Sequence, residues 1–166
     1  ILNLSYIDAS YANVLINSDN ATGNVQLTNC LFHDNNKVVY EYAGVDISID
    51  SCRFTNNYYG IDGHRGTIIS NTIFDNNYYG LYSVYEITVN NCTFLNNIEA
   101  GISCKYSWEG IIQNSKFIAN NIGLEFAVSN GSTPDQINNN IISCNNIGFK
   151  IYYCWWTSNI SGNTFR

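Results

Sequence analysis

One short segment of the chain brings together side chains that could transfer a proton on a sugar. Asp62, His64 and Arg65 lie within four residues of one another. An arginine, or Lys105 in its place, can neutralise the carboxylate of a uronic acid. An imidazole or a tyrosine can exchange the proton, and an aspartate can orient the base or bind calcium. We therefore treat His64, Arg65 and Asp62 as candidate catalytic residues, although a solvated loop with incidental charges is the simpler explanation.

Aromatic residues form a second group, one suited to binding. Tyr58-Tyr59 and Tyr78-Tyr79 occupy equal places in a recurring sequence unit, directly after an Asn-Asn pair. Exposed rings can serve as a platform for sugar rings or for another protein. Stacking of the same rings can also stabilise the fold without any ligand. The candidate contact residues are Tyr58, Tyr59, Tyr78, Tyr79, Trp108, Trp155 and Trp156.

The sequence offers little for a metal or another cofactor. It has two His, no Met and six Cys. A zinc site would need Cys-x-x-Cys or Cys/His spacing, and a copper site would need clustered His, Met or Cys ligands. We expect no cofactor. Calcium is left open for a carbohydrate-active protein.

The residues that position these side chains form a repeat. Its clearest copy runs from Asn71 to Leu81 and reads polar-x-apolar-Phe-x-Asn-Asn-x-x-Gly-apolar. The place of the Phe recurs every 20 to 25 residues, at Phe32, Phe54, Phe74, Phe94, Phe117, Ile142 and Phe165. A fixed period in this range predicts a solenoid, in which each coil buries its apolar side against its neighbours.

The columns of the repeat indicate the type of solenoid. Five residues before each Phe place lies an aliphatic residue: Leu27, Ile49, Ile69, Val89, Ile112, Ile137 or Ile160. Two residues before it lies a compact residue: Cys30, Cys52, Thr72, Cys92, Ser115, Asn140 or Asn163. The two columns are an odd number of residues apart, so in one straight strand they would point to opposite faces. A bend must therefore separate them for both to face the interior. Asn, which tolerates left-handed backbone, lies between them in most copies. We predict an all-β parallel β-helix of about seven coils, with three short strands per coil.

Asparagine side chains in such a stack can form hydrogen-bonded ladders. Asn76 and Asn77 are expected to contribute about 1 kcal/mol each. Cys30 and Cys52 would lie in neighbouring coils of one interior column. Buried free thiols are favoured there, and a disulfide between the two is left open.

The Asn-x-x-Phe-x-Asn-Asn-x-x-Gly-Ile pattern from Val25 to Arg166 resembles the right-handed parallel β-helices of the pectate-lyase-like superfamily. It is most similar to the branch of surface proteins and periplasmic copper-binding accessory proteins. Polygalacturonase-like members carry a Gly-His-Gly motif, paired Asp motifs and Arg-x-Lys; only Gly63-His64-Arg65-Gly66 is similar here. Lyase-type members bind calcium through Asp or Glu residues on neighbouring coils, and Glu41, Asp62 and Glu86 are the nearest equivalents here, at different offsets from the strand. The resemblance implies a right-handed fold, but the superfamily includes lyases, hydrolases, epimerases, adhesins and inert surface proteins.

We expect a single domain over 1–166, a piece of a longer chain, with an irregular first coil in 1–24 and regular coils in 25–166. Ile7 is the expected anchor of the first coil. Only 12% of residues are charged and the net charge is -6, which argues against nucleic-acid binding. No apolar run reaches the length of a membrane span. N-glycosylation patterns at Asn3, Asn20, Asn91, Asn130 and Asn159 favour an extracellular or cell-surface location.

The function expected from these features is a non-enzymatic surface module, such as a stalk, an adhesin or a filament or sheath component. Its Tyr and Trp strips would contact a polysaccharide or neighbouring protein subunits, with a homo-oligomer or filament left open. The alternative is a lyase, hydrolase or epimerase that acts on uronic-acid glycans through the His64 segment.

Overall fold

The computed structural model describes residues 1–18, 23–40, 45–63, 66–82, 86–104, 110–128, 135–154 and 158–166. Of residues 127, 128, 153 and 154 it describes the backbone only. Every regular element in these ranges is a β-strand, and none of the described residues forms a helix that could cross a membrane.

The strands pass in turn through three parallel sheets, which are the three sides of a coil. The first sheet holds β1 Leu2–Ser5, β4 Asn24–Thr28, β7 Asp46–Asp50, β10 Thr67–Ser70, β13 Thr88–Asn90, β16 Ile111–Gln113, β19 Gln136–Asn138 and β22 Asn159–Ser161. The second holds β2 Asp8–Ser10, β5 Leu31–His33, β8 Arg53–Thr55, β11 Ile73–Asp75, β14 Thr93–Leu95, β17 Lys116–Ile118, β20 Ile141–Ser143 and β23 Thr164–Phe165. The third holds β3 Val14–Asn17, β6 Lys37–Tyr40, β9 Tyr59–Asp62, β12 Tyr79–Tyr82, β15 Ala100–Cys104, β18 Ile122–Val128 and β21 Ile147–Cys154.

The register confirms the predicted columns. Leu27 pairs with Ile49, which pairs with Ile69, and Ile69 pairs with Val89. The phenylalanines pair in the same way in the second sheet, and the rings of Phe74 and Phe94 stack with centroids 4.9 Å apart. These side chains are fully buried, so the core is a continuous stack of equivalent residues from successive coils.

Both predicted bends are present, because a left-handed residue lies at each. The first is at Asn29, Ser51, Asn71, Asn91, Asn114 and Asn139, with φ between 51° and 59°. The second is at Asp34, Asn56, Asn76, Asn96, Ala119 and Cys144, with φ between 54° and 57°. Asparagine reaches this conformation at lower cost than most residues, which explains its abundance at the bends.

The residue after each second bend points inward and forms the predicted ladder, which consists of Asn35, Asn57, Asn77, Asn97, Asn120 and Asn145. The Oδ1 atom of Asn77 accepts hydrogen bonds from the backbone N–H and the amide of Asn57, both at 3.0 Å. The amide of Asn77 donates to the carbonyl of Phe54 at 3.0 Å and to Oδ1 of Asn97 at 3.2 Å. The ladder therefore satisfies backbone groups at a bend where no strand partner is available.

A glycine column lies against the phenylalanine column. Its members are Gly60, Gly80, Gly101, Gly123 and Gly148. A Cβ atom on Gly80 would lie 2.5 Å from the carbonyl oxygen of Gly101 and 3.0 Å from Cδ1 of Phe94. The third sheet can therefore approach the core this closely only because these positions carry no side chain.

The first coil differs from the prediction. Leu4 pairs with Leu27 and Ala9 pairs with Phe32, so Ala9 occupies the anchor place and the assignment of Ile7 is wrong. Tyr6, with φ 58°, takes the place of the bend asparagine. Because Ala9 lacks the large side chain found at the anchor place of the other coils, the sequence pattern alone does not identify it as the anchor.

The thiols of Cys30 and Cys52 are free and buried, as the sequence favoured. The backbone N–H of Cys30 donates to Sγ of Cys52 at 3.4 Å. Burial raises the pKa of the Cys52 thiol to about 11, so this thiol stays protonated and unreactive at neutral pH.

Replacing Asn77 by Ala should destabilise the protein by at least about 3 kcal/mol, because each buried polar group left without a partner costs about 1–3 kcal/mol. Asn76 is the matched control, since it is exposed and its amide makes one bond, to Oδ1 of Asn56 at 2.7 Å. Asn76→Gly keeps the left-handed backbone and should cost about 1 kcal/mol or less. Urea unfolding followed by circular dichroism measures both, and equal losses would contradict the assigned roles.

Gly80→Ala should lower the free energy of unfolding by about 3 kcal/mol, because the added methyl group meets a backbone oxygen and a packed ring that cannot move away. Gly66→Ala is the comparison. Its Cβ would meet only Oδ1 of the exposed Asp46 side chain at 3.0 Å, and its φ of 70° adds about 1–2 kcal/mol of strain. Thermal melts that rank the two variants in the opposite order would show that the glycine column is not under steric constraint.

Candidate functional site

The predicted catalytic segment is described only at Asp62, since His64 and Arg65 lie outside the described residues, as do Glu41 and Lys105. Asp62 ends β9 on the outer side of the third sheet, where its Oδ2 atom lies 2.5 Å from Nζ of Lys37. Lys37 also lies over the rings of Tyr40 and Tyr59, at 4.3 and 5.2 Å from their centroids. Asp62 is therefore part of an ion pair between neighbouring coils.

Glu86 precedes β13 of the first sheet, whereas Asp62 ends β9 of the third. Glu86 lines a groove of about 470 Å³ together with Asp46, Gly66 and Ile68. Among the described residues no three His, Cys, Asp or Glu side chains are grouped so that they could hold a metal ion.

The predicted tyrosines lie together at the bend that leads from the second sheet to the third. Tyr58 stacks on Tyr78 with centroids 4.6 Å apart and planes 3° apart. Tyr59 and Tyr79 are parallel in the same way at 5.6 Å, and each makes an edge contact with its chain neighbour. Trp108, Trp155 and Trp156, the other predicted contact residues, lie outside the described residues.

The two members of each pair have different environments. Tyr58 is 46% exposed and Tyr78 is half-buried, whereas Tyr79 is 9% exposed and packs against Tyr82 with centroids 4.7 Å apart. Burial raises the pKa of Tyr59 to about 12 and raises that of Tyr79 as well. Tyr59 and Tyr79 therefore support the outer rings, and Tyr58 and Tyr78 are the ones that a ligand could reach.

The outer tyrosines belong to a column that changes its residue type. Backbone hydrogen bonds between coils place Asn13, Asn36, Tyr58, Tyr78, Ile98, Asn121 and Asn146 one above another. The amide of Asn36 donates to Asn13 and that of Asn146 donates to Asn121, at 2.8 and 3.1 Å. Tyr58, Tyr78 and Ile98 thus form a short apolar section of the column, with asparagine side chains at both of its ends.

A shallow groove of about 580 Å³ follows this column, and we call it the Tyr58 groove. It is lined by Asp34, Asn35, Asn36, Asn56, Asn57, Tyr58, Asn76, Tyr78 and Ile98. The left-handed bends at Asp34, Asn56 and Asn76 turn these three side chains outward, so one wall consists of exposed polar groups. An aromatic surface beside amides that can donate and accept hydrogen bonds is suited to a hydroxylated ligand.

Sequence reasoning missed a histidine next to this groove. Nδ1 of His33 lies 2.6 Å from Oδ2 of Asp34, and Nε2 lies 3.0 Å from Oδ1 of Asp8 in the preceding coil. The hydrogen bond with Asp34 is the main cause that raises the pKa of His33, and Asp8 raises it further. Asp34 lines the groove, so His33 pairs with the carboxylate at its edge.

It also missed a buried carboxylate on the outer side of the third sheet. The side chain of Glu125 is 1% exposed and accepts hydrogen bonds from Ser103 at 2.7 Å, Lys150 at 2.9 Å and Tyr152 at 2.6 Å. Hydrogen bonds with Tyr152 and Glu125 raise the pKa of Lys150. These donors compensate the buried charge, so Glu125 joins three coils and its carboxylate is not accessible to a ligand.

The stability contributed by His33 should depend on pH. Its pKa in the folded protein lies above the ordinary value of 6.5, so the stabilisation is complete below that pH. It is lost as the pH rises through the raised pKa. The melting temperature of the wild type should therefore fall relative to that of His33→Gln as the pH increases from 6 to about 9. His64 is present in both proteins and does not affect the comparison. Melting temperatures of the two proteins that change in parallel with pH would show that His33 does not contribute to stability.

Comparison with known proteins places the fold in a family. The family model described as "Right handed beta helix region" matches residues 3–104 and 61–166. Among solved structures, one that is similar is that of trypsin-treated QnrB1 R167E, a plasmid-mediated fluoroquinolone resistance protein. The identity is 13% and the TM-score 0.39, over 98% of this chain and 91% of that one. Comparison with curated proteins found no match. Because the family model spans all the coils of the three-sheet stack, the chain belongs to the right-handed β-helix family.

Proposed function

We propose that the chain is a non-enzymatic, glycan-binding module of an extracellular or cell-surface protein, and that the Tyr58 groove is its binding surface. The observation that carries the proposal is the exposed Tyr58-Tyr78 stack beside a wall of bend asparagines. The finer resemblance to the surface and copper-accessory branch of the pectate-lyase-like superfamily is part of the same proposal and is supported by the Asn-x-x-Phe-x-Asn-Asn repeat.

The dimensions of the apolar surface favour a sugar over a protein partner. Tyr58, Tyr78 and Ile98 lie in three successive coils, so the apolar column is about 10 Å long at a strand spacing of about 4.8 Å. A stable protein interface needs about 800 Å² from each partner. The column matches one or two sugar rings, whose apolar faces pack on aromatic side chains while their hydroxyl groups bond to amides.

The described part of the catalytic segment does not favour the alternative, an enzyme that acts on uronic acids. Asp62 is held by Lys37 and only 14% of its side chain is exposed. The proposed surface location is supported by the exposure of Asn3, Asn91 and Asn159, which carry the N-glycosylation patterns within the described residues.

The test is the binding of polysaccharides by the purified chain and by the double variant Tyr58→Asn/Tyr78→Asn. Asn occupies the same column at Asn36 and Asn121, so the replacement is compatible with the fold. Loss of two contact rings should weaken binding at least tenfold, or about 1.4 kcal/mol. Calorimetry or affinity electrophoresis measures this change.

Tyr6→Asn is the matched control, because Tyr6 is 81% exposed, adopts a left-handed φ of 58° and lies outside the groove. It should leave binding unchanged. Equal binding by the wild type and the double variant would contradict the proposal. Release of unsaturated products from a uronate polymer would support the enzymatic alternative instead.

A further inference from the structure

We infer that the Tyr58 groove takes an uncharged sugar, with one ring placed on the side of Tyr58 that faces Asn36. This inference rests on the proposed glycan-binding function and adds a position and a substrate class to it. It follows from three observations: the residue change in the outer column, the polar atoms next to it, and the charge of the groove lining.

The first observation is a difference in side-chain size between neighbouring coils. Tyr78 is covered on both sides of the column, by Tyr58 and by Ile98, whereas the neighbour of Tyr58 on its other side is Asn36. No ring of the described residues stacks on Tyr58 from that side, and the amide of Asn36 is directed to Asn13 in the preceding coil. Tyr58 is accordingly the most exposed member of the paired tyrosines, at 46%.

The second observation concerns hydrogen-bonding capacity beside Tyr58. Oδ1 of Asn56 accepts a hydrogen bond from Asn76, and Nδ2 of Asn56 has no partner among the described residues. Nδ2 of Asn36 donates to Asn13, and Oδ1 of Asn36 likewise has no described partner. An amide donor and an amide acceptor therefore border the same opening, as the adjacent hydroxyl groups of a sugar require.

The third observation is the charge. Asp34 is the one carboxylate among the residues that line the groove, and none of the described lining residues is a lysine, an arginine or a histidine. Asp8 adds a second carboxylate on the far side of His33. His33 lies between these two carboxylates and carries at most one positive charge, so the three groups together keep a negative charge. A uronic acid or a sulfated sugar would therefore meet a like charge with no guanidinium or ammonium to bind it, whereas a neutral sugar meets amides and a ring.

The inference is tested by isothermal titration calorimetry with neutral and acidic oligosaccharides of the same length. Neutral gluco-, manno- and xylo-oligosaccharides are compared with oligogalacturonates. At least one neutral series should bind ten times or more tightly than the oligogalacturonates at low ionic strength. Asp34→Asn should reduce the ratio of the affinity for neutral oligosaccharides to that for oligogalacturonates. The change removes the carboxylate, while Asn retains the left-handed backbone.

The position of the ring is tested by Asn56→Gly, which removes the amide at a residue with φ 57°. The matched control is Asn96→Gly, at φ 55° in the same bend column but outside the groove. Binding of the neutral oligosaccharide should weaken about fivefold or more in Asn56→Gly and stay unchanged in Asn96→Gly. Equal effects of the two variants would overturn the assigned position.

The outcomes also separate this inference from the function on which it rests. Oligogalacturonates that bind as tightly as neutral oligosaccharides, and lose affinity in Tyr58→Asn, would overturn the inference and leave the glycan-binding function intact. Oligosaccharide binding that Tyr58→Asn does not change would reject both.

Discussion

In the described strands of this protein, each residue lies next to its equivalent in the neighbouring coil, at about 4.8 Å. An interior position can therefore hold only a residue type that packs well on its equivalents. Phenylalanine does so in the core, where the ring centroids of Phe54 and Phe74 lie 4.8 Å apart. Asparagine does so because the amide of each ladder residue donates a hydrogen bond to the next, as Asn57 does to Asn77. Glycine is required where the carbonyl of Gly101 occupies the space that a Cβ of Gly80 would need. The described coils are joined by these repeated contacts without a disulfide between Cys30 and Cys52.

This constraint explains how much of the fold could be predicted from the sequence. Interior columns repeat because each member packs on the next, so Leu27, Ile69 and their equivalents could be aligned by eye and predicted to be buried. The sequence could not separate Asn76 from Asn77, since both are asparagine. The difference arises from a bend that turns one side chain out and the next one in, and it makes Asn77 the more important for stability. The first coil was misaligned because Ala9 lacks the ring that marks the anchor elsewhere.

Outer columns are free of this constraint, and there prediction was only partly successful. The stacking of Tyr58 on Tyr78 could be predicted because the two residues repeat, and the structure confirms the stack. The contacts of His33 with Asp8 and of Glu125 with Lys150 were missed, because neither pair belongs to a repeating column. Both pairs are 25 residues apart, close to the coil period, so a search for opposite charges one period apart could have found them.

The same packing rule limits where a solenoid of this type can bind a ligand. Identical rings in neighbouring coils cover one another, so a long tyrosine strip gains stability from stacking and shows mainly ring edges to a ligand. A ring face becomes available where the column changes its residue type, as it does between Asn36 and Tyr58. Among the described residues, polar atoms are left without partners at the same point, because the amide ladder of the outer column stops there. The interruption of the repeat thus produces an apolar face and unused hydrogen-bonding groups side by side, while the repeated core beneath it remains unchanged.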